Sequence, residues 1–165
     1  RSLFLEQIRH HPVEALVYVD ESGIDSYLHS PYGSSKRGEK VFGEISGKRF
    51  ARDSFVAAKC GPKILAPLCF QGTCNTKLFD LWIEQFLFPE LTLGQVVILA
   101  NASFHKSERT RLLIEQAGCQ LLFLPAYSPD LNPIEKFWAW FKMKVRSVFE
   151  RFQTLSEAID YVFNM

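Results

Sequence analysis

The stretch QVVILANASFHKS, residues 95–107, constrains the fold more than any other part of this chain. Val96 to Leu99 are four consecutive apolar residues with no alternation. So short and unbroken a run suits a strand covered on both faces. It opens abruptly into Asn101, Ser103, His105 and Lys106. Two other segments have the same character, ALVYV at 15–19 and QLLFL at 120–124. Strands of this kind need cover above and below, and the segments between them carry helical periodicity. The chain therefore reads as α/β, a mixed sheet flanked by helices.

Along the chain, Leu3, Phe4 and Ile8 predict a short helix over 2–10, closed by Pro12. The strand 15–19 ends at Asp20-Glu21-Ser22-Gly23. Residues 30–48 are rich in Gly, Ser and basic side chains and read as loop. Strands over 49–60 and 63–70 are joined by a Gly61-Pro62 turn, and Pro67 places the second at an edge or a bulge. Leu78, Phe79, Trp82, Ile83 and Phe86 predict an amphipathic helix over 75–88, ended before Pro89. A further helix spans 105–116 with Gly118 as its stop. After the proline-rich loop PAYSPDLNP comes a strong helix, 133–149, with Ile134, Phe137, Trp138, Phe141, Val145 and Val148 as its apolar stripe. A last helix over 155–163 follows Thr154.

Composition narrows the function classes. The chain is 47% hydrophobic, which excludes a disordered segment. No apolar run approaches the roughly 20 residues of a membrane helix, and no signal-peptide core opens the chain. A net charge of +1 neither demands nor excludes a polyanionic partner. The four cysteines form no C-x-x-C pair; Cys60, Cys69 and Cys119 read as small buried hydrophobes, which suits a reducing compartment.

If the strands ending at Asp20 and Ala100 are parallel neighbours, their tips open on one crevice, where α/β proteins place ligands. Glu135 follows the rigid loop and is a third candidate. Each residue also has a local explanation. Asp20 suits a strand-end turn. Glu135 stands three residues after Asn132 with Pro133 between, the pattern of an N-cap, Pro at N1 and a capping-box acid. His105 suits a helix start, and Lys136, Lys142, Lys144 and Arg146 suit a solvated helix face.

YVDESG, VVILANASFHKS and LPAYSPDLNPIEKFWAWFK, in that order, resemble the catalytic core of bacterial insertion-sequence transposases of the mariner superfamily. The resemblance runs over roughly 12–147 and includes LFDLWIEQFLFPEL. It implies a ribonuclease-H-like fold and a DDE site of three carboxylates, with Asp20 matching the first and Glu135 the third. The second belongs to an Asp-Asn-Ala block that here reads Ala100-Asn101-Ala102, and thirty-four residues separate positions 100 and 135. It further implies Mg²⁺ or Mn²⁺ on Asp20 and Glu135. Phosphodiester cleavage and joining are in-line displacements that two such ions, roughly 3.5–4 Å apart, assist, and hard ions take carboxylate oxygens. Ala100 offers no ligand, so cation binding is expected to be weakened and the chain to be inactive. The alanine is either an introduced substitution or the mark of a decayed or domesticated copy.

Asn101 and His105 match an Asn-Ala-x-x-His pattern and are expected to act behind the ligands or on a substrate phosphate. Lys36, Arg37, Lys40, Lys48, Arg49 and Arg52 form one basic stretch and Lys142, Lys144 and Arg146 another, both suited to DNA phosphates. The expected partners are transposon-end and target DNA, bound by a homodimer that pairs two ends, with no membrane. The expected place is the bacterial cytoplasm, at the nucleoid. Residues 1–11 are read as a linker helix or the end of an upstream DNA-binding region, and 12–165 as the catalytic domain. A nuclease or resolvase of the same fold, and a non-catalytic DNA-binding descendant, are the competing readings.

Overall fold

A computed structural model describes residues 1–25, 52–102 and 105–165. Five strands form one sheet: β1 (Leu16–Asp25), β2 (Arg52–Cys60), β3 (Lys63–Gln71), β4 (Val96–Leu99) and β5 (Gln120–Phe123), in the order β3-β2-β1-β4-β5. β1 runs parallel to β4 with Leu16 opposite Val96 and Val19 opposite Leu99. β4 runs parallel to β5 with Leu99 opposite Phe123. Such pairs need crossover connections, which the helices supply. β2 and β3 are joined by the two-residue turn at Gly61-Pro62, which only an antiparallel pair can use.

The helices are α1 (Ser2–Ile8), α2 (Thr76–Trp82), α3 (Glu108–Gln116), α4 (Ile134–Val148) and α5 (Leu155–Phe163). The chain divides into two compact units, one of residues 1–21, 56–68 and 74–137, the other of 22–55, 69–73 and 138–165. In the first, Phe4 of α1 is buried with Leu16, Val96, Ile98 and Leu124, so α1 is docked on this unit's core. In the second, Phe55 packs against Trp138 (ring centroids 4.9 Å apart) and Phe141 (5.0 Å), and Phe141 against Phe163 (4.2 Å).

The central strands follow the apolar pattern: Val96 to Leu99 are fully or almost fully buried. β5 does not. It lies at the sheet edge and is only half-buried or exposed. β1 is longer than its apolar run, so Asp20 and Glu21 lie inside the strand and the turn explanation of Asp20 falls. Pro67 sits on the edge strand β3, as a residue without an N–H must. Its neighbour Ala66 adopts φ +53°, and its backbone groups leave the ladder. The Trp82 indole donates to the Ala66 carbonyl (2.7 Å), and the Ala66 N–H donates to Glu90 (3.1 Å).

Two helix boundaries differ from the sequence expectation for local reasons. α2 passes at Ile83 into a π-helical turn, Ile83–Leu87, and then a 3₁₀ turn, Phe88–Glu90, so the helical path continues past Pro89. The wider turn advances the apolar stripe by one residue. Leu87 is buried, while Phe86, expected on the apolar stripe, is exposed. α3 begins at Glu108, not His105, because Ser107 caps it: the Ser107 hydroxyl accepts from the Thr110 N–H (3.1 Å) and donates to Asp80 (2.7 Å). Gly118 ends α3 at φ +77°, as expected of a C-terminal glycine. Of the cysteines only Cys119 is buried; Cys60, Cys69 and Cys74 are half-buried.

Candidate active site

The register of β1 on β4 ends at Val19 and Leu99, and the next residues on each strand, Asp20 and Ala100, line one cavity of about 390 Å³. Asn101, Tyr127, Asn132 and Glu135 complete its wall. The strand tips and the loop before α4 thus converge where parallel strands end, as the sequence suggested. A larger cavity, about 500 Å³, lies at the opposite ends of these strands, between Val13, Pro62, Leu93 and Gln95. The paired acids belong to the smaller one.

Glu135 reaches this place because the start of α4 is held twice. The Asn132 side chain accepts from the Ile134 N–H (3.2 Å), and Ser128, itself buried, accepts from Arg1 (3.0 Å). Arg1 also grips Asp130 with both guanidinium arms, at 2.7 and 3.2 Å. A capping box would send the Glu135 carboxyl back to the Asn132 N–H. That N–H instead donates to the Pro129 carbonyl (3.0 Å), and the Glu135 carboxyl hydrogen-bonds Asp20. The loop carries one strained residue, Tyr127, at φ +56° and almost wholly exposed at the cavity mouth.

Two acids in hydrogen-bond contact cannot both be ionised cheaply. Burial first, then the bond to Glu135 and the charge of Glu21, push the Asp20 carboxyl up to about 9. At neutral pH the Asp20 carboxyl therefore keeps its proton. An oxygen-only pair short of positive charge is the donor chemistry that suits a hard divalent cation. Among the described residues no three His, Cys, Asp or Glu side chains converge as metal ligands. Asp20 and Glu135 could offer carboxylate oxygens to such an ion, and Ala100 lines the same wall.

His105 is not at the cavity surface. Its ring is fully buried, with Nδ1 2.7 Å from the Ala100 carbonyl and Nε2 2.5 Å from Glu21. Direct contact with a substrate phosphate does not fit that burial. Glu21 was not singled out from the sequence, and the DES triplet gave no sign that it faces a histidine 84 positions away. On α4, Arg146 is exposed and Lys142 and Lys144 are half-buried. Lys36, Arg37, Lys48 and Arg49 lie outside the described residues. Among the described residues no helix is long and apolar enough to cross a membrane.

The fold is similar to that of the Mos1 transposase catalytic domain solved with raltegravir and Mg, at a TM-score of 0.66 and 13% identity, covering 99% of this chain and 76% of that one. A second structure, the catalytic domain of Mos1 mariner transposase, gives 0.65 and 12%, covering 99% and 75%. The catalytic core domain of BIV integrase gives 0.57 and 13%, covering 91% and 81%. At these identities the likeness concerns the fold, which is ribonuclease-H-like. Comparison with curated protein sequences gave no match. Residues 15–159 match the family described as DDE superfamily endonuclease, and the match takes in both acids and the alanine between them. The chain belongs to the DDE superfamily endonuclease family.

Proposed function

We propose that this chain is the catalytic domain of a DNA transposase that cleaves and joins transposon-end DNA, and that it is inert as written because its second acid is Ala100. One observation carries the reading: Asp20 and Glu135 share a hydrogen bond across a cavity whose third corner is an alanine. Asp20 and Glu135 would hold Mg²⁺ or Mn²⁺ through their oxygens. When bound, such an ion polarises the phosphate and activates the attacking hydroxyl. With an aspartate at 100 the cavity would offer a third anionic oxygen ligand; an alanine leaves that corner apolar and cation affinity low.

The remaining residues bind and orient. Asn101 lines the cavity and can donate its amide to a phosphate oxygen beside the acids. Lys142, Lys144 and Arg146, together with Lys36, Arg37, Lys48 and Arg49, supply phosphate contacts that weaken steeply with salt. Two copies, each engaging one transposon end, would form the working dimer. Residues 12–165 would be its catalytic domain, with 1–11 leading from an upstream DNA-binding part.

The test is Ala100→Asp in the full-length protein, with transposon-end DNA and Mg²⁺. The restored protein should cleave the end and join the 3′-hydroxyl to target DNA, while the unaltered chain does neither. Cleavage without joining would make it a nuclease of the same fold. An inert variant with intact DNA affinity would refute the assignment of position 100.

A further inference from the structure

The pairing of β1 with β4 stops at Val19 and Leu99, so the ladder itself does not register residue 100. The chain turns back at once. The Ala102 N–H donates to the Ala100 carbonyl (2.9 Å), and the His105 N–H donates to the Ala102 carbonyl (3.0 Å). This turn delivers the His105 ring between Ala100 and Glu21, where Phe79 packs on it with ring centroids 4.4 Å apart. A carbonyl oxygen only accepts, so Nδ1 must carry the hydrogen that faces Ala100. Nε2 then shares a single hydrogen with the Glu21 carboxyl.

Glu21 follows Asp20 directly on β1, and successive strand side chains point to opposite faces. The imidazole therefore ties the backbone of residue 100 to the residue beside the first acid. Neither Glu21 nor His105 lines the cavity. We propose that Glu21 and His105 are positioning residues: the buried bridge holds residue 100 at a fixed offset from Asp20, so that a side chain at 100 enters the cavity beside it. The proposal rests on reading that cavity as the active site. It adds two residues that act only through the backbone of residue 100 and the strand that carries Asp20.

Two experiments test it separately from the proposed function. The first uses the chain as it stands, with ¹⁵N-labelled histidine followed by NMR. The His105 Nδ1–H should exchange slowly, and Glu21→Ala should speed that exchange while Glu21→Gln, which keeps a hydrogen-bonding side chain, should not. An Nδ1 without hydrogen, or an exchange rate indifferent to Glu21→Ala, overturns the bridge whatever the chain's function. The second uses the Ala100→Asp protein with transposon-end DNA. Glu21→Ala and His105→Ala should each lower turnover at saturating DNA by about 10–100-fold, the usual effect of losing a residue that orients a ligand, with Kd for DNA unchanged. His105→Asn, whose amide can still donate to the residue-100 carbonyl, should recover part of the rate. Glu21→Gln keeps the side-chain volume and serves if His105→Ala fails to fold; its turnover should stay within a few-fold of the parent. Unchanged turnover in Glu21→Ala, or an equal loss in His105→Asn and His105→Ala, refutes the positioning role. If Ala100→Asp itself is inert, the functional reading fails and the NMR measurement alone decides the bridge.

Discussion

Replacing Asp20 by asparagine should flatten the dependence of this chain's stability on pH. An Asp in the unfolded chain titrates near 3.9, while burial and the Glu135 and Glu21 carboxyls hold folded Asp20 up at about 9. The folded state therefore keeps a proton that the unfolded state releases. The associated stability is complete below about pH 4 and is lost progressively as pH rises toward about 9. One group can change stability by at most about 1.4 kcal/mol per pH unit, or roughly 3 kcal/mol from pH 5 to pH 7. Asp20 is half-buried and its partner Glu135 is exposed, so solvent screening reduces this to roughly 1–2 kcal/mol. For a chain of 165 residues that is a fall in Tm of about 2–8 °C. The assay is thermal unfolding of parent and Asp20→Asn at pH 5, 6, 7 and 8 in the presence of a chelator. The difference between the two curves isolates Asp20 from every other group, since the two proteins share all the rest. Mn²⁺ competes with the Asp20 proton, so it should stabilise the parent more at pH 8 than at pH 5 and leave Asp20→Asn almost unaffected. Parallel stability curves for the two proteins would refute the proton retained on Asp20.

Two further substitutions probe how the site is held. Asn132→Ala removes the side chain that caps α4 at the Ile134 N–H; it should cost about 1 kcal/mol in urea unfolding, and a change within error would show that the cap does not anchor Glu135. Trp82→Phe keeps most of the packing but deprives the Ala66 carbonyl of its indole donor; a loss of about 1–3 kcal/mol is expected, read by the same unfolding curves, and a neutral result would mean that the carbonyl finds another donor.

Much of the sheet was legible because its centre is made of wholly apolar runs. Four unbroken residues at 96–99 admit few other readings, and their burial follows directly. β5 misled for the same reason: an apolar run reports what can be buried, not whether a neighbour exists on both sides, and among the described residues β5 has a strand on one side only. Phe86 misled because periodicity assumes a constant turn. The π-helical turn at Ile83–Leu87 breaks that assumption in the segment that holds Phe86. No single residue type announces such a turn.

Glu135 shows where local reasoning ends. Asn132, Pro133 and Glu135 satisfy a capping pattern, and from four residues alone the capping box is the simpler account. Its outcome depends on two groups that the pattern does not contain. The Asn132 N–H is already engaged by the Pro129 carbonyl, because the loop turns through a 3₁₀ step at Pro129–Leu131. Asp20, far away in the chain, then offers the carboxyl a partner inside a cavity. The asparagine alone suffices as the cap, which frees the acid for the pair, and the same short loop that stops the helix aims its first turn at the strand tips. His105 follows the same logic in reverse. Its place suggested either an ordinary helix-start residue or a role at the site, while the Ser107 cap moves the helix three residues on and the histidine is buried. In both cases a cap residue decides which side chain is released for the site, so at the ends of helices the useful question for a sequence is which polar residue remains once the cap has been satisfied.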